Sequence, residues 1–231
     1  MDPKRTCCSR GGSIPIIAGI ASARFWSAIA TLAVAGTSFA APPAADVYFS
    51  IAHGEEKHDD IAGTTASNGN QVYMASYAAL DGQWLITYNV TVDYTTNPQT
   101  SASGIVTVEN KSNAETLAFR VGLGVPICPM IEGGSLVGGS ALLTLTTNGP
   151  GTVSCDKFGE PIFHATEDGH SVGSIFYCPT TLTSTGSSTI SYSGTFGLPG
   201  PSLPGLEIAG AIGMEEIFVL TPNDKLTMQF T

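Results

Sequence analysis

The stretch QWLITYNVTVDY, residues 83–94, sets the tightest limit on what this chain can fold into. Trp84, Ile86, Tyr88, Val90, Val92 and Tyr94 take alternate positions, with Leu85, Thr87, Asn89, Thr91 and Asp93 between them. Successive side chains of an extended strand point to opposite faces, so this alternation buries one face and leaves the other more polar. The β-branched and aromatic residues that dominate it suit a pleated, half-buried surface.

The pattern returns through the rest of the chain. IVTVEN (105–110), ETLAFRVGL (115–123), ALLTLTT (141–147), PIFHAT (161–166), HSVGSIFYC (170–178) and STISYSGTF (188–196) repeat it, and EEIFVL (215–220) and KLTMQFT (225–231) close the sequence. Turn residues divide these runs. NGP between ALLTLTT and GTVSC predicts one hairpin, TPND between EEIFVL and KLTMQFT another, and Asp168-Gly169 a tight primed turn. Prolines in GVPICP and FGLPGPSLPGLE make those segments loops or edge crossings, because proline cannot donate to a ladder. One segment, QVYMASYAAL (71–80), reads as a turn or two of helix. About eight to ten short strands without alternating helices predict an all-β fold, a single antiparallel β-sandwich of immunoglobulin-like or jelly-roll-like type. A barrel has the same strand spacing and stays open as the alternative.

The first forty residues are expected to stand apart from that fold. Lys4, Arg5, Arg10 and Arg24 precede the apolar run FWSAIATLAVAG, and small residues Ser38 and Ala40 sit before a break at Ala41. A basic stretch, a short apolar run and a small-x-small site describe a secretory signal peptide over residues 1–40, with the domain at 41–231. The run after Arg24 is shorter than the ~20 residues a membrane span needs, so no integral span is expected in the mature chain. From Ala41 on, 18 acidic residues face 5 basic ones, a net charge of −13. That sign excludes nucleic acid and anionic lipid as partners, since both require lysine and arginine patches. It is compatible with a secreted, extracellular or envelope location, the periplasm included.

Three cysteines remain after the leader, Cys128, Cys155 and Cys178, and an oxidising setting allows two of them to pair. If Asp168-Gly169 closes a two-residue hairpin, Cys178 falls opposite a position near Cys155. The expected disulfide is therefore Cys155–Cys178, with Cys128 left over.

The densest chemistry lies in HGEEKHDD (53–60). His53 and His58 are five apart, so they miss the His-x-x-x-His spacing that a zinc-binding helix needs, and on a strand they would face opposite sides. Only a loop converges them. The carboxylates Glu55, Glu56, Asp59 and Asp60 suit the flexible oxygen coordination of calcium, although the EF-hand spacing is absent. Two readings stand: a solvated acidic loop, or a divalent-cation site drawn from His53, Glu55, His58 and Asp60. No other cofactor is expected.

The remaining candidates are sparser. His164 and His170 bracket the Asp168-Gly169 turn; on that register Glu167 opposes His170 as a surface pair and His164 opposes Gly173. Trp84 and Tyr88 share a strand face, which offers either a sugar-stacking platform or a core stripe. No Gly-x-Ser-x-Gly, dinucleotide or P-loop motif occurs, and no catalytic residue is assigned. GGSLVGGS (133–140) reads instead as a glycine-rich edge crossing or bulge.

FRVGLGVPI, EGGSLVGGSALLTLT, EPIFHATEDG, FGLPGPSLPG and IGMEEIFVLTPNDKLTMQF follow one another in an order that resembles exported β-sandwich proteins of the PEP-CTERM-associated type, across residues 104–231. The resemblance implies export to the envelope or extracellular matrix and carries no functional residues. The sequence lacks that group's Val-Pro-Glu-Pro sorting tail, so the anchoring it implies does not carry over. Together these readings predict a secreted, non-enzymatic sandwich with an envelope, matrix or adhesion role and polysaccharide or envelope and matrix proteins as partners. The alternatives are a carbohydrate-binding module and a secreted hydrolase.

Overall fold

The computed structural model describes residues 43–52, 54–94, 100–127, 133–155, 160–208 and 210–231. The expected leader, His53 and Cys128 lie outside the described residues. Two antiparallel sheets face each other in a sandwich, one of the two architectures the alternation allows. Strands are numbered in chain order. The first sheet runs β12 (His170–Ile175), β11 (Phe163–Glu167), β16 (Ala211–Leu220), β7 (Leu117–Pro126), β1 (Ala45–Ile51), β2 (Glu55–Ile61). The short β10 (Gly151–Ser154) pairs with β16 and with β13 (Thr181–Ser184). The second sheet runs β14 (Ser188–Phe196), β9 (Gly139–Thr147), β17 (Lys225–Phe230), β6 (Ser101–Asn110), β5 (Trp84–Asp93), β4 (Gln71–Ala78), β3 (Thr64–Thr65). A two-stranded ribbon, β8 (Leu136–Val137) with β15 (Leu203–Pro204), stands outside both sheets. Among the described residues no helix is long and apolar enough to cross a membrane.

The stripe that opened the sequence is the inner face of β5: Trp84, Ile86, Tyr88, Val90 and Val92 are all buried. Val47, Phe49 and Ile51 of β1, Phe119 and Val121 of β7, and Phe218 of β16 meet it from the opposite sheet. Phe49 lies edge-on to Trp84 at 5.2 Å, and Phe119 stacks on Phe218 at 5.6 Å. Each such ring removes a large apolar area from water, which at roughly 25 cal/mol per Å² is the main term holding the sheets together.

Two expected hairpins are instead arches between the sheets. β9 belongs to the second sheet and β10 to the first, so NGP turns the chain across the core rather than back alongside itself. TPND does the same between β16 and β17. Residues 111–116 and 185–187 also cross at this end. Polar side chains stitch the arches. Buried Asn110 donates to the carbonyls of Glu115 and Leu220, at 2.8 and 2.9 Å, and the Thr221 hydroxyl pairs with Asp224 and with the Thr152 backbone. QVYMASYAAL is not helical: residues 71–78 form β4, paired along its length with β5.

The Asp168-Gly169 turn does form a hairpin, with φ of 48° and 79° at the two residues, the left-handed pair a primed turn needs. Glu167 opposes His170 as expected, but a bulge between Ala165 and Thr166 shifts the register, and His164 opposes Ser174 rather than Gly173. The hairpin also brings Cys155 and Cys178 together as a disulfide, with Cα atoms 5.8 Å apart.

Candidate functional site

At the end of the sandwich opposite the arches, the sheets part around a cavity of about 790 Å³. Strand register explains its walls. In the first sheet Val125 pairs with Ile212, and Leu123 with Met214, while Ala165 and Phe163 follow on the neighbouring strand. All six line the cavity. From the second sheet Val90, Ala102, Phe196 and Phe230 complete it, and the rings of Phe163 and Phe230, 6.2 Å apart, narrow it toward the middle of the sandwich.

The β8–β15 ribbon and the loop around it form the rim. Here Gly138 is needed because a Cβ would lie 2.6 Å from the Gly197 carbonyl oxygen, so the two glycine-rich segments cross in close contact. Glu167, only 3% exposed, anchors the ribbon: its carboxylate accepts from the Ser135 hydroxyl and the Leu206 backbone N–H, each at 2.6 Å. Asp168 next to it accepts from the backbone N–H groups of Gly210 and Ala211. The expected surface pair of Glu167 with His170 is therefore corrected, because Glu167 turns inward to the ribbon. On the same rim Leu136, Leu198, Leu203 and Leu206 are 65%, 49%, 37% and 47% exposed. Leu136 and Leu198 line the opening itself, and Leu203 and Leu206 stand on the ribbon and the loop after it.

One cross-strand row beyond the inner wall sit two polar groups. Glu216 follows Met214 on the inner face of β16 and shares a row with Phe163 and Val121. Tyr88 precedes Val90 on the inner face of β5. Glu216 is 1% exposed, and among the described residues neither its carboxyl oxygens nor the Tyr88 hydroxyl has a hydrogen-bond partner. Burial pushes the Glu216 carboxyl well above the ordinary carboxylate range, so it is held as the neutral acid. Burial also raises the Tyr88 phenol, with Glu216 adding to the rise.

The sequence-predicted residues fare differently. HGEEKHDD is mostly strand rather than loop: Glu55 to Asp60 lie in β2, a sheet edge. Alternation then sends Glu55, Lys57 and Asp59 to one face and Glu56, His58 and Asp60 to the other. Glu55 accepts from the Trp84 indole N–H at 2.6 Å, and Asp59 accepts from the Tyr77 hydroxyl at 3.1 Å while Lys57 lies over the Tyr77 ring. His58 stacks on Tyr48 on the outer face, 3.6 Å from the Glu56 carboxylate. The structure thus separates Glu55 from His58 and Asp60. Among the described residues no group of three or more histidine, cysteine, aspartate or glutamate side chains is placed to hold a metal ion. Trp84 and Tyr88, 6% and 2% exposed, belong to the core, which leaves no exposed sugar-stacking platform at these two residues.

Across the outer face of the first sheet, register aligns His58, Tyr48, Gly122, Glu215 and His164 in one row. Glu215 accepts from the Tyr48 hydroxyl at 2.6 Å and from Arg120, and burial together with Glu215 raises the Tyr48 phenol. Burial lowers the His164 imidazole, whose Nδ1 lies 3.0 Å from the Ser174 hydroxyl. Each of these groups has a local partner.

Glu216 escaped the sequence reading, and Glu167 entered it only as the surface partner of His170. Glu216 had a visible signal, since it interrupts the inward series Met214, Phe218, Leu220. Glu167 had none, because its partners come from 32 and 39 residues away.

Fold and cavity together define an antiparallel sandwich with an apolar chamber at one end. Comparison with family models, curated proteins and solved structures finds no match for the chain.

Proposed function

We propose that the chain is an exported, non-catalytic β-sandwich of the envelope or extracellular matrix that holds an apolar ligand in its end cavity. The observation that carries this reading is the cavity itself, about 790 Å³ and walled by Val, Leu, Ile, Met and Phe from both sheets, with exposed leucines around its mouth. Ligand sites are commonly concave, mostly apolar and of this size. Export is supported by the leader-like residues 1–40 and by the Cys155–Cys178 disulfide, a bond that persists in oxidising compartments.

The test is titration of the purified protein with the neutral fluorescent probe phenylnaphthylamine. Saturable one-to-one binding is expected, and Ala165→Phe or Ala102→Phe, each filling the chamber, abolishes it while the far-ultraviolet circular dichroism is unchanged. Non-saturable binding, or equal binding by folded Ala165→Phe and Ala102→Phe proteins, overturns the reading.

A further inference from the structure

The inner end of the cavity differs from the rest of its wall. Phe163 lines the chamber and pairs with Glu216, so Glu216 lies in the row immediately past the floor. On the facing sheet Val90 lines the chamber and Tyr88 is the next inward residue along the strand. Successive inward residues of a strand are about 7 Å apart. The two unpartnered groups are therefore within one side chain's reach of the chamber, from opposite walls. Met214, between Glu216 and Ile212 on the inner face, is an unbranched thioether that changes rotamer easily.

A buried polar group without a hydrogen bond destabilises the fold, and two from separate sheets at the inner end of one chamber do so together. Packing alone does not account for them, because leucine at 216 and phenylalanine at 88 would fill similar space without the penalty.

We infer that the cavity is built for an apolar chain bearing one uncharged hydroxyl head, which is inserted head first and received by Glu216 and Tyr88. A hydroxyl donates one hydrogen bond and accepts another. The Glu216 acid and the Tyr88 phenol can each do either, so one hydroxyl joins both walls without placing a charge in the core. A carboxylate head would bring an unpaired negative charge beside Glu216, and an ammonium head would need Glu216 to ionise in an apolar setting; both carry the desolvation penalty of a buried ion. The methylene chain behind the head lies against Val90, Leu123, Met214 and Phe230. The rim leucines meet its outer end.

This inference rests on the cavity being a ligand site, and its test separates the two. Decanol, methyl decyl ether and decanoate are compared as displacers of bound phenylnaphthylamine from the full-length mature protein. Decanol is expected to displace at about one tenth the concentration of the ether, in line with hydrogen bonds made by groups otherwise unsatisfied, and decanoate to be the weakest. Glu216→Leu and Tyr88→Phe keep probe and ether binding but bring decanol to within about twofold of the ether. Glu216→Gln, which still donates and accepts, keeps the preference and serves if Glu216→Leu fails to fold. Equal displacement by decanol and ether in the unaltered protein overturns the inference while leaving the cavity reading in place. So does a decanol preference that survives Glu216→Leu with Tyr88→Phe. Absence of saturable probe binding overturns both.

Discussion

Glu216 is the residue whose surroundings fit its chemistry least. It shares a buried row with Phe163 and Val121, and burial favours the neutral form of its carboxyl there. The folded state thus holds a proton that the unfolded chain releases above about pH 4.3. The native form binds more protons than the unfolded one between that value and the raised folded value. Stability contributed by this site is accordingly complete at low pH and falls as pH rises, by about 1.4 kcal/mol for each unit in that window. Glu216→Gln removes the titration and keeps the shape. In urea denaturation from pH 4 to pH 8, the stability of Glu216→Gln relative to the unaltered protein should climb with pH. Asp59 behaves in the opposite sense: Lys57 and then the Tyr77 hydroxyl hold its carboxylate below its ordinary value, at an exposed position on the sheet margin. Burial first, then Asp59, pushes the Tyr77 phenol up to about 12.

Strand identity was legible because period two survives in nearly every element, but strand partnership was not. A turn such as NGP or TPND leads equally well into a neighbour in the same sheet or into the facing sheet, and inward residues alternate in either case. What selects the arch is remote: Asn110 bonding to Leu220, 110 residues away, and Thr221 bonding to Thr152. β4 was misread for a related reason. Its alanines and methionine suit a helix, and only pairing with β5 settles them as strand. The HGEEKHDD segment illustrates the gain. As an edge strand, its Lys57 and Asp59 point inward at the sheet margin, an arrangement that discourages another chain from pairing there. Replacing both, Lys57→Val with Asp59→Val, should leave the thermal midpoint nearly unchanged and raise concentration-dependent association in light scattering. The β12–β13 region depends on a different device. Cys155 and Cys178 close a loop with a sequence separation of 23, so the Cys155→Ala, Cys178→Ala protein should lose about 3 kcal/mol in urea denaturation.

Viewed as a whole, the molecule has two unlike ends. At one, four short connections (111–116, 148–150, 185–187 and 221–224) pass between the sheets and are tied by buried polar groups. At the other, the chamber replaces part of the core, and the ribbon hangs chiefly on Glu167, Ser135 and Leu206. Local stability should follow that gradient. Amide hydrogen exchange is expected to be slowest near Leu117, Leu220 and Leu226, and faster at Val125, Ile212 and the β8–β15 ribbon. A bound ligand should slow exchange at the second group and hardly affect the first.

The arches have a mechanical consequence. The sheets are also linked at the chamber end, where the chain passes from β2 to β3, from β7 to β9 and from β14 to β16, but the arch end is the one tied across by Asn110 and Thr221, and it fixes the sheet spacing there. At the other end a cavity stands where side chains would otherwise pack, so that is where the spacing has most room to yield. Substitutions at Asn110 or Thr221, far from the chamber, would then reach it through the sheets, by loosening the spacing that the arches hold.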